Sequence, residues 1–167
     1  MKIKLTFLLL LVYASNMAQR NAIEEEINES VWKPFLQASS QFDGPAFMQL
    51  QSKDFIRVSI DQKVIHGYQQ YETGILPNFK RLKEEGKIKR NTEMRFISRI
   101  VSAELAYESG YFKSTTSLAN GEVRTRYSRF TVILRKESGN WKILVDADSN
   151  DGNTITEALY QQAEPLQ

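Results

Sequence analysis

The chain has 167 residues, of which 41% are hydrophobic and 25% are charged, and it contains no cysteine. That length is sufficient for one domain with its own core. The absence of cysteine excludes disulfide bonds, lipoprotein attachment and a cysteine nucleophile. The formal net charge of +2 equals the contribution of Lys2 and Lys4. The rest of the chain is therefore balanced, and it lacks the positive excess of a nucleic-acid-binding protein.

The N-terminus has the pattern of a secretory signal peptide over residues 1–18. Lys2 and Lys4 precede an apolar run from Leu5 to Ala14, and Ala18 is a small residue at a suitable cleavage position. A membrane-spanning helix needs about 20 apolar residues, so this run is too short. We therefore predict an exported protein of the bacterial periplasm, with no membrane contact after cleavage. An uncleaved, buried N-terminal helix is the alternative interpretation.

Two helices are predicted at the start of the remaining chain. Apolar residues recur at helical spacing over residues 21–41, and Pro34 should kink that helix because it lacks a backbone N–H. Asp43 is a suitable N-cap for a second, short helix that contains Pro45 and ends near Leu50.

A third helix is predicted over residues 67–85, with Gly86 as its C-cap. Pro77 should kink it or divide it into two pieces. Its apolar stripe includes Tyr68 and Tyr71. Aromatic stripes of this kind usually pack in a core, and the alternative is that one of these tyrosines lines a cavity.

The hydrophobic period changes to two in the second half of the chain, which predicts long antiparallel strands. Asn120-Gly121 is typical of a type I′ hairpin turn, and residues 138–140 form a further turn. After residue 153 we expect a polar tail over residues 154–167, with a helical turn near residues 155–160. The predicted strands cover residues 54–59, 94–101, 105–116, 122–136 and 141–148.

Helices followed by antiparallel strands indicate an α+β domain, here over residues 19–153. Strands of this length twist, so the sheet should curve strongly. A curved sheet covered by helices on its concave side encloses a cone-shaped hollow, which is a suitable place for a pocket.

Five segments of the chain resemble the nuclear transport factor 2-like superfamily in its SnoaL-like branch. This superfamily includes ketosteroid isomerase, scytalone dehydratase and polyketide cyclases. The resemblance implies a cone-shaped barrel of a strongly curved antiparallel sheet, covered by three N-terminal helices. It also implies a homodimer packed through the sheet. The segments are residues 31–35, 52–58, 106–111, 129–132 and 139–146.

Glu108 is one candidate for a functional carboxylate. It shares a strand face with Ala106 and Gly110, which are small and would leave room beside it. In a pocket, such an acid would have a raised pKa and could exchange a proton. The alternative is an exposed or ion-paired glutamate on a dimer-facing or solvent-facing surface.

Asp146 and Asp148 share a face at the end of the last strand. They could form an acid/base pair, but one strand rarely supplies a whole metal site, and we predict no metal. A structural ion pair between Asp146 and a strand arginine is the simpler interpretation. Arg129 would suit an anionic ligand if it faces the hollow.

The sequence leaves three functional hypotheses open. The first is a cofactor-free domain that binds a small, partly apolar molecule. The second is an isomerase, dehydratase or cyclase with Glu108 or Asp146 as base and Tyr111 as donor. The third is a dimeric interaction module whose hollow is filled by its own side chains. The first hypothesis assigns ligand contact to Trp32, Tyr68, Tyr71, Glu108, Phe112, Arg129 and Asp146.

Three other classes of chemistry find no support in the sequence. No phosphate-binding loop or dinucleotide fingerprint is present, so no cofactor is expected. No Gly-x-Ser-x-Gly elbow is present, and His66 is the single histidine. A lone histidine near a helix start is typical of a cap or surface group.

Overall fold

The structure is a computed structural model that describes residues 18–167. Apart from residue 18, the predicted signal segment lies outside the described residues. The elements are α1 (residues 18–27), a π-helical turn (Asn28–Trp32), α2 (Lys33–Gln41), α3 (Gly44–Gln49), β1 (Gln51–Ser59), β2 (Val64–Gly67), α4 (Tyr68–Glu85), β3 (Ile88–Val101), β4 (Leu105–Leu118), β5 (Val123–Glu137), β6 (Asn140–Ser149), a 3-10 turn (Asp151–Asn153), α5 (Glu157–Gln161) and β7 (Glu164–Pro165).

The strands form one seven-stranded sheet in the order β2-β1-β6-β5-β4-β3-β7. All neighbouring strands are antiparallel except β1 and β6, which are parallel. The sheet is open, because β2 and β7 are its two edges. The predicted α+β class and the helices packed on one side of a long-stranded sheet are confirmed. The parallel pair and the strands β2 and β7 were not predicted.

Pro34 is accommodated by a local change of helix type. The π-helical turn Asn28–Trp32 lies between α1 and α2, and Pro34 occupies the first turn of α2. The Lys33 backbone N–H donates to the Asn28 carbonyl across five residues, so the chain stays helical from α1 into α2. The π-turn thus lies directly before Pro34, which cannot donate a hydrogen bond of its own.

The caps of the next two helices follow the sequence pattern. The Asp43 side chain accepts a hydrogen bond from the Ala46 backbone N–H at 3.0 Å, which caps α3 as predicted. Gly86 ends α4 with a left-handed φ of 60°. Of the two outcomes predicted at Pro77, the division into two pieces was wrong, because α4 continues through it. Pro77 is exposed, so water can bind the carbonyl group that loses its partner.

The two predicted hairpins occur where expected, but one has another turn type. In the β5–β6 hairpin, Ser138 and Gly139 both have positive φ angles, as a type I′ turn requires. In the β4–β5 hairpin, Gly121 has φ 85° whereas Asn120 is not in the left-handed region. The type I′ prediction for that loop was therefore wrong. Its four residues use Gly121 alone to reverse the chain.

The concave face of the sheet packs on the helices through a cluster of aromatic rings. Trp32 lies 5.8 Å from Phe35 and 5.8 Å from Phe130, and Phe96 lies 5.9 Å from Phe130, between ring centroids. Trp32 and Phe130 have no exposed surface. Edge-to-face aromatic pairs add stabilisation to that of buried area. This cluster fills one end of the cone.

The C-terminal segment is more ordered than a polar tail would be. Tyr160 in α5 is 1% exposed and packs with Tyr111, Ile155 and Ala163 in a second apolar cluster. Arg95 Nη1 donates to the Ala163 carbonyl at 3.0 Å. Strand β7 then pairs with β3, so it covers part of that edge of the sheet.

Gly110 provides a test of the packing between β3 and β4. A Cβ atom at this position would lie 1.9 Å from the Arg95 carbonyl oxygen and 2.8 Å from the Phe130 ring. Because neither group can move freely, we expect Gly110→Ala to lower the free energy of unfolding by about 3 kcal/mol. Urea denaturation measures this change.

Gly74→Ala is the matched control. Nothing lies within 4 Å of the added Cβ, and the residue is inside α4. We expect it to stabilise the protein by up to about 1 kcal/mol, because alanine favours the helix. Equal stability of the two variants would contradict the close approach at Gly110.

Candidate functional site

A cavity of about 490 Å³ lies between the helices and the concave face of the sheet. It occupies the end of the cone that the aromatic cluster leaves open. Its lining comes from α2, α3, α4 and strands β1, β3, β4, β5 and β6. That volume falls within the range of small-molecule sites.

The inner wall of the cavity is apolar. Phe35, Phe47 and Phe79 enter from the helices, and Phe112 enters from β4. The Phe35 and Phe112 rings are stacked with 5.9 Å between centroids, and Phe47 lies 4.8 Å from Phe35. These rings present a flat apolar surface to anything that enters.

Two carboxylates at the cavity are paired with one arginine. Arg57 on β1 lies beside Asp146 on β6 in the parallel register. Its Nη2 lies 2.5 Å from Asp148 Oδ2, and its Nη1 lies 3.4 Å from Asp146 Oδ1. Nη1 also donates to the Asp146 backbone carbonyl at 3.1 Å. Arg57 therefore holds Asp148 closely and Asp146 more loosely.

The environment of Asp146 favours its neutral form. The pKa of the Asp146 carboxyl is raised from 3.8 to about 6, mainly by burial; Arg57 opposes this rise, and the charge of Asp148 contributes to it. Burial and the Asp146 carboxylate also raise the pKa of the Tyr71 hydroxyl. Asp146 is therefore the group at this cavity that can change its charge near neutral pH.

Glu108 lies outside the cavity lining, at the packed end of the cone. It has no exposed surface. Arg99 Nη2 lies 2.6 Å from Glu108 Oε1, and Trp32 Nε1 donates to Glu108 Oε2 at 2.5 Å. Arg99 also donates to Asn28 Oδ1 at 2.8 Å. Burial raises the pKa of Glu108, while Arg99 and Trp32 oppose that rise. Glu108 is therefore ion-paired, but it is buried inside the fold and not on the dimer-facing or solvent-facing surface where the alternative placed it.

The expected room beside Glu108 is absent. The Arg95 carbonyl and the Phe130 ring occupy the space beside Gly110. The small residues on this face allow the neighbouring strand and the aromatic ring to pack closely.

The structure brings together three of the seven predicted ligand contacts. Tyr71, Phe112 and Asp146 line the cavity. Trp32 is in the core, beside Glu108. These placements divide the predicted set between a cavity wall and a buried cluster.

The remaining two candidates lie at other surfaces. Tyr68 accepts a hydrogen bond from Lys53 Nζ at 2.8 Å and donates to Glu72 at 3.1 Å. Arg129 is half exposed and pairs with Asp151 at 2.7 Å. His66 is in β2, opposite Arg57 in the strand register, and does not line the cavity.

Polar residues at the mouth of the cavity were missed by sequence reasoning. They lie in the first halves of β3 and β5 and in the second half of β4, toward the β4–β5 hairpin. Strand parity contained the signal, because Arg126 and Ser128 share a face with the buried Phe130. The missed residues are Thr92, Ser114, Thr116, Arg124, Arg126 and Ser128.

Two other kinds of site are not seen in residues 18–167. No three His, Asp or Glu side chains there come together in a way that could hold a metal ion. No helix in that range has the length and apolar character needed to cross a membrane.

The fold is an α+β cone like that of solved nuclear transport factor 2-like proteins. Residues 29–149 match the model of the SnoaL-like domain, and the chain belongs to that family. Among curated proteins, none matches this chain.

Solved structures with the same fold share little sequence with this chain. A nuclear transport factor 2-like protein with a cystatin-like fold from Novosphingobium aromaticivorans has a TM-score of 0.64 at 17% identity, covering 87% of this chain and 95% of its own. A superfamily protein from Salmonella enterica has a TM-score of 0.59 at 18% identity, covering 77% and 91%. A ketosteroid isomerase-like protein from Erwinia carotovora has a TM-score of 0.56 at 17% identity, covering 74% and 92%. These similarities establish the fold.

The raised pKa of Asp146 predicts a pH dependence of stability. A carboxyl group whose pKa is higher in the folded state than in the unfolded state favours folding at low pH. That contribution is lost as the pH rises from 3.8 through about 6. Across this pH window, we expect the free energy of unfolding of the wild type to fall by up to about 3 kcal/mol relative to that of Asp146→Asn.

Urea unfolding of both proteins between about pH 4 and pH 7 measures the difference. Glu84→Gln removes an exposed carboxylate of α4 and is the control. The prediction would be contradicted if the difference in free energy of unfolding between the wild type and Asp146→Asn stayed constant over this pH range.

Proposed function

We propose that this protein binds a small, partly apolar molecule in the cavity of the cone. The observation that carries this proposal is the open cavity of about 490 Å³ with an aromatic inner wall. A pocket of this kind gains binding free energy from apolar contact and orients its ligand with a few polar groups. Here those polar groups lie at the mouth and at the Arg57 cluster.

The pairing of the acids supports binding in preference to catalysis. Glu108 is neutralised by Arg99, and both Asp146 and Asp148 contact Arg57. A general base needs a carboxylate that can reach the substrate and accept its proton. The open cavity also argues against an interaction module whose hollow is filled by its own side chains.

Acid/base catalysis at Asp146 is the second candidate function. The observation that favours it is a carboxyl group at the cavity whose pKa is raised to about 6. A base with a pKa near the working pH suits the isomerase, dehydratase or cyclase type of reaction. The pH measurement above tests the property that this hypothesis requires.

We further propose that a second copy of the chain covers the outer face of the sheet. A row of apolar side chains crosses five adjacent strands there, in the strand register. A two-fold axis parallel to the sheet, in the plane of the interface, would place this row against its own copy. The row consists of Ile100, Tyr107, Ile133, Val145 and Ile56, and exposure is 65% at Ile100 and 41% at Ile56.

Blocking the cavity tests ligand binding. Ser114 is on the inner face of β4, so Ser114→Phe places a ring in the cavity. The probe is N-phenylnaphthylamine, an uncharged aromatic dye that fluoresces in apolar surroundings. We expect the wild type to bind it, and Ser114→Phe to bind it about tenfold more weakly or not at all.

Thr115→Phe is the matched control, because the next residue on a strand points to the opposite face. It should retain dye binding at the wild-type level. Absence of dye binding by the wild type, or equal loss in both variants, would overturn the proposed binding site.

A charge in the outer row tests dimerisation. Ile133 is at the centre of the row, so Ile133→Asp would bury an unpaired carboxylate in the interface. We expect the wild type to sediment as a dimer and Ile133→Asp as a monomer. Ile60→Asp, at an isoleucine that is 54% exposed in the turn after β1, should stay dimeric. A monomeric wild type would refute the interface.

A further inference from the structure

Three arginines face the mouth of the cavity from two neighbouring rows of the sheet. Arg90 on β3 and Arg124 on β5 both lie opposite Thr116 of the intervening strand β4. Arg126 lies opposite Ser114, one row deeper. All three arginines line the cavity. Since neighbouring strands are about 4.8 Å apart, the side chains of Arg90 and Arg126 straddle β4 and can reach one common group.

Arg90 is a half-buried cation without a carboxylate partner among the described residues. Its guanidinium carbon lies 4.9 Å from the centroid of the Phe42 ring. Burial lowers the pKa of Arg90, in agreement with a charge that has lost water and gained no counter-ion. A half-buried guanidinium has donors to spare for a ligand.

The other two arginines differ in their partners. Arg126 is exposed at the rim and forms no ion pair with any residue in the range 18–167. Arg124 is already paired with Glu122 at 2.6 Å. Arg90 and Arg126 are therefore the cations at the mouth that remain available.

Hydroxyl groups lie between these cations. Ser114 and Thr116 are the β4 residues of the two rows, and both line the cavity. Ser114 Oγ lies 3.4 Å from Thr92 Oγ1, which is a weak hydrogen bond that either atom can release. A serine hydroxyl between two guanidinium groups provides a further donor to an oxyanion.

Taken as a whole, the charge of the cavity lining favours an anionic ligand. The lining contains four arginines and two aspartates. The two aspartates share Arg57 at the β1–β6 side. The other three arginines lie at the mouth, so positive charge exceeds negative charge in the lining there.

We infer that the ligand of this cavity carries an oxyanion group, held at the mouth by Arg90 and Arg126, with its apolar body against Phe35 and Phe112. This inference rests on the proposed binding function and specifies the class of ligand. Guanidinium groups bind carboxylate and phosphate oxygens with two parallel hydrogen bonds. The ligand is thus a small organic acid or phosphate ester with an aromatic or similarly flat apolar part.

Two dyes with the same apolar body test the inference. Anilinonaphthalene sulfonate carries an oxyanion, and N-phenylnaphthylamine is its uncharged parent. We expect the wild type to bind the sulfonate more tightly than the parent. Arg90→Gln combined with Arg126→Gln should weaken sulfonate binding about tenfold or more and leave the parent dye nearly unchanged.

Lys89→Gln is the matched control. Lys89 precedes Arg90 on β3 and is exposed on the opposite face. Its substitution therefore removes one positive charge outside the cavity. It should leave the affinity for both dyes unchanged. Ser114→Phe should abolish sulfonate binding, which locates that binding inside the cavity.

The two proposals fail in different ways. Parent dye binding with no preference for the sulfonate, or a sulfonate affinity unaffected by the two arginine substitutions, overturns the oxyanion inference alone. Absence of binding by both dyes overturns the binding function itself. Displacement of the sulfonate by naphthoate or by naphthyl phosphate then shows which oxyanion the mouth accepts.

Discussion

The buried ion pair between Glu108 and Arg99 determines which end of the cone is closed. Glu108 has no exposed surface, and its two oxygens accept hydrogen bonds from Arg99 and from the Trp32 indole. A buried carboxylate is tolerated only when its charge and lone pairs are satisfied. Satisfying Glu108 requires the first helical segment to lie against β3 and β4 at this point. The helical segment around Trp32 is therefore fixed to this end of the sheet, while the β4–β5 hairpin lies at the other end of β4.

That anchoring explains why one curved sheet has a solid end and a hollow end. Around Trp32, aromatic rings fill the space between helix and sheet. Farther along the same strand face, residues become shorter and more polar, from Phe112 to Ser114 and Thr116 on β4. Because these side chains are short, this part of the cone stays open between the sheet and the helices.

Much of this architecture could be predicted from the sequence, because its signals are local. The period-two pattern gave the long strands, and Asp43 and Gly86 marked helix ends through their own capping chemistry. The parallel pairing of β1 with β6 and the short strands β2 and β7 depend on contacts between distant segments, so no local pattern indicated them.

The candidate site was less predictable for the same reason. Parity correctly put Glu108 and Phe112 on one face, but parity cannot say how far along that face the helices extend. Glu108 therefore looked like a pocket acid, whereas the helical segment around Trp32 covers it. Conversely, Arg90 lay in a segment that we predicted to precede the strand, because its polar neighbours hid the pattern.

The position of the unpaired arginines determines how a ligand is oriented in the cavity. Placing an oxyanion deep among the aromatic rings would cost several kcal/mol in lost hydration. At the mouth, the same group keeps part of its water and still contacts Arg90 and Arg126. An apolar body gains most where water is fully excluded, against Phe35 and Phe112. A ligand with one charged end therefore has one favourable orientation, with the charge outward, and the gradient of polarity along each strand enforces it.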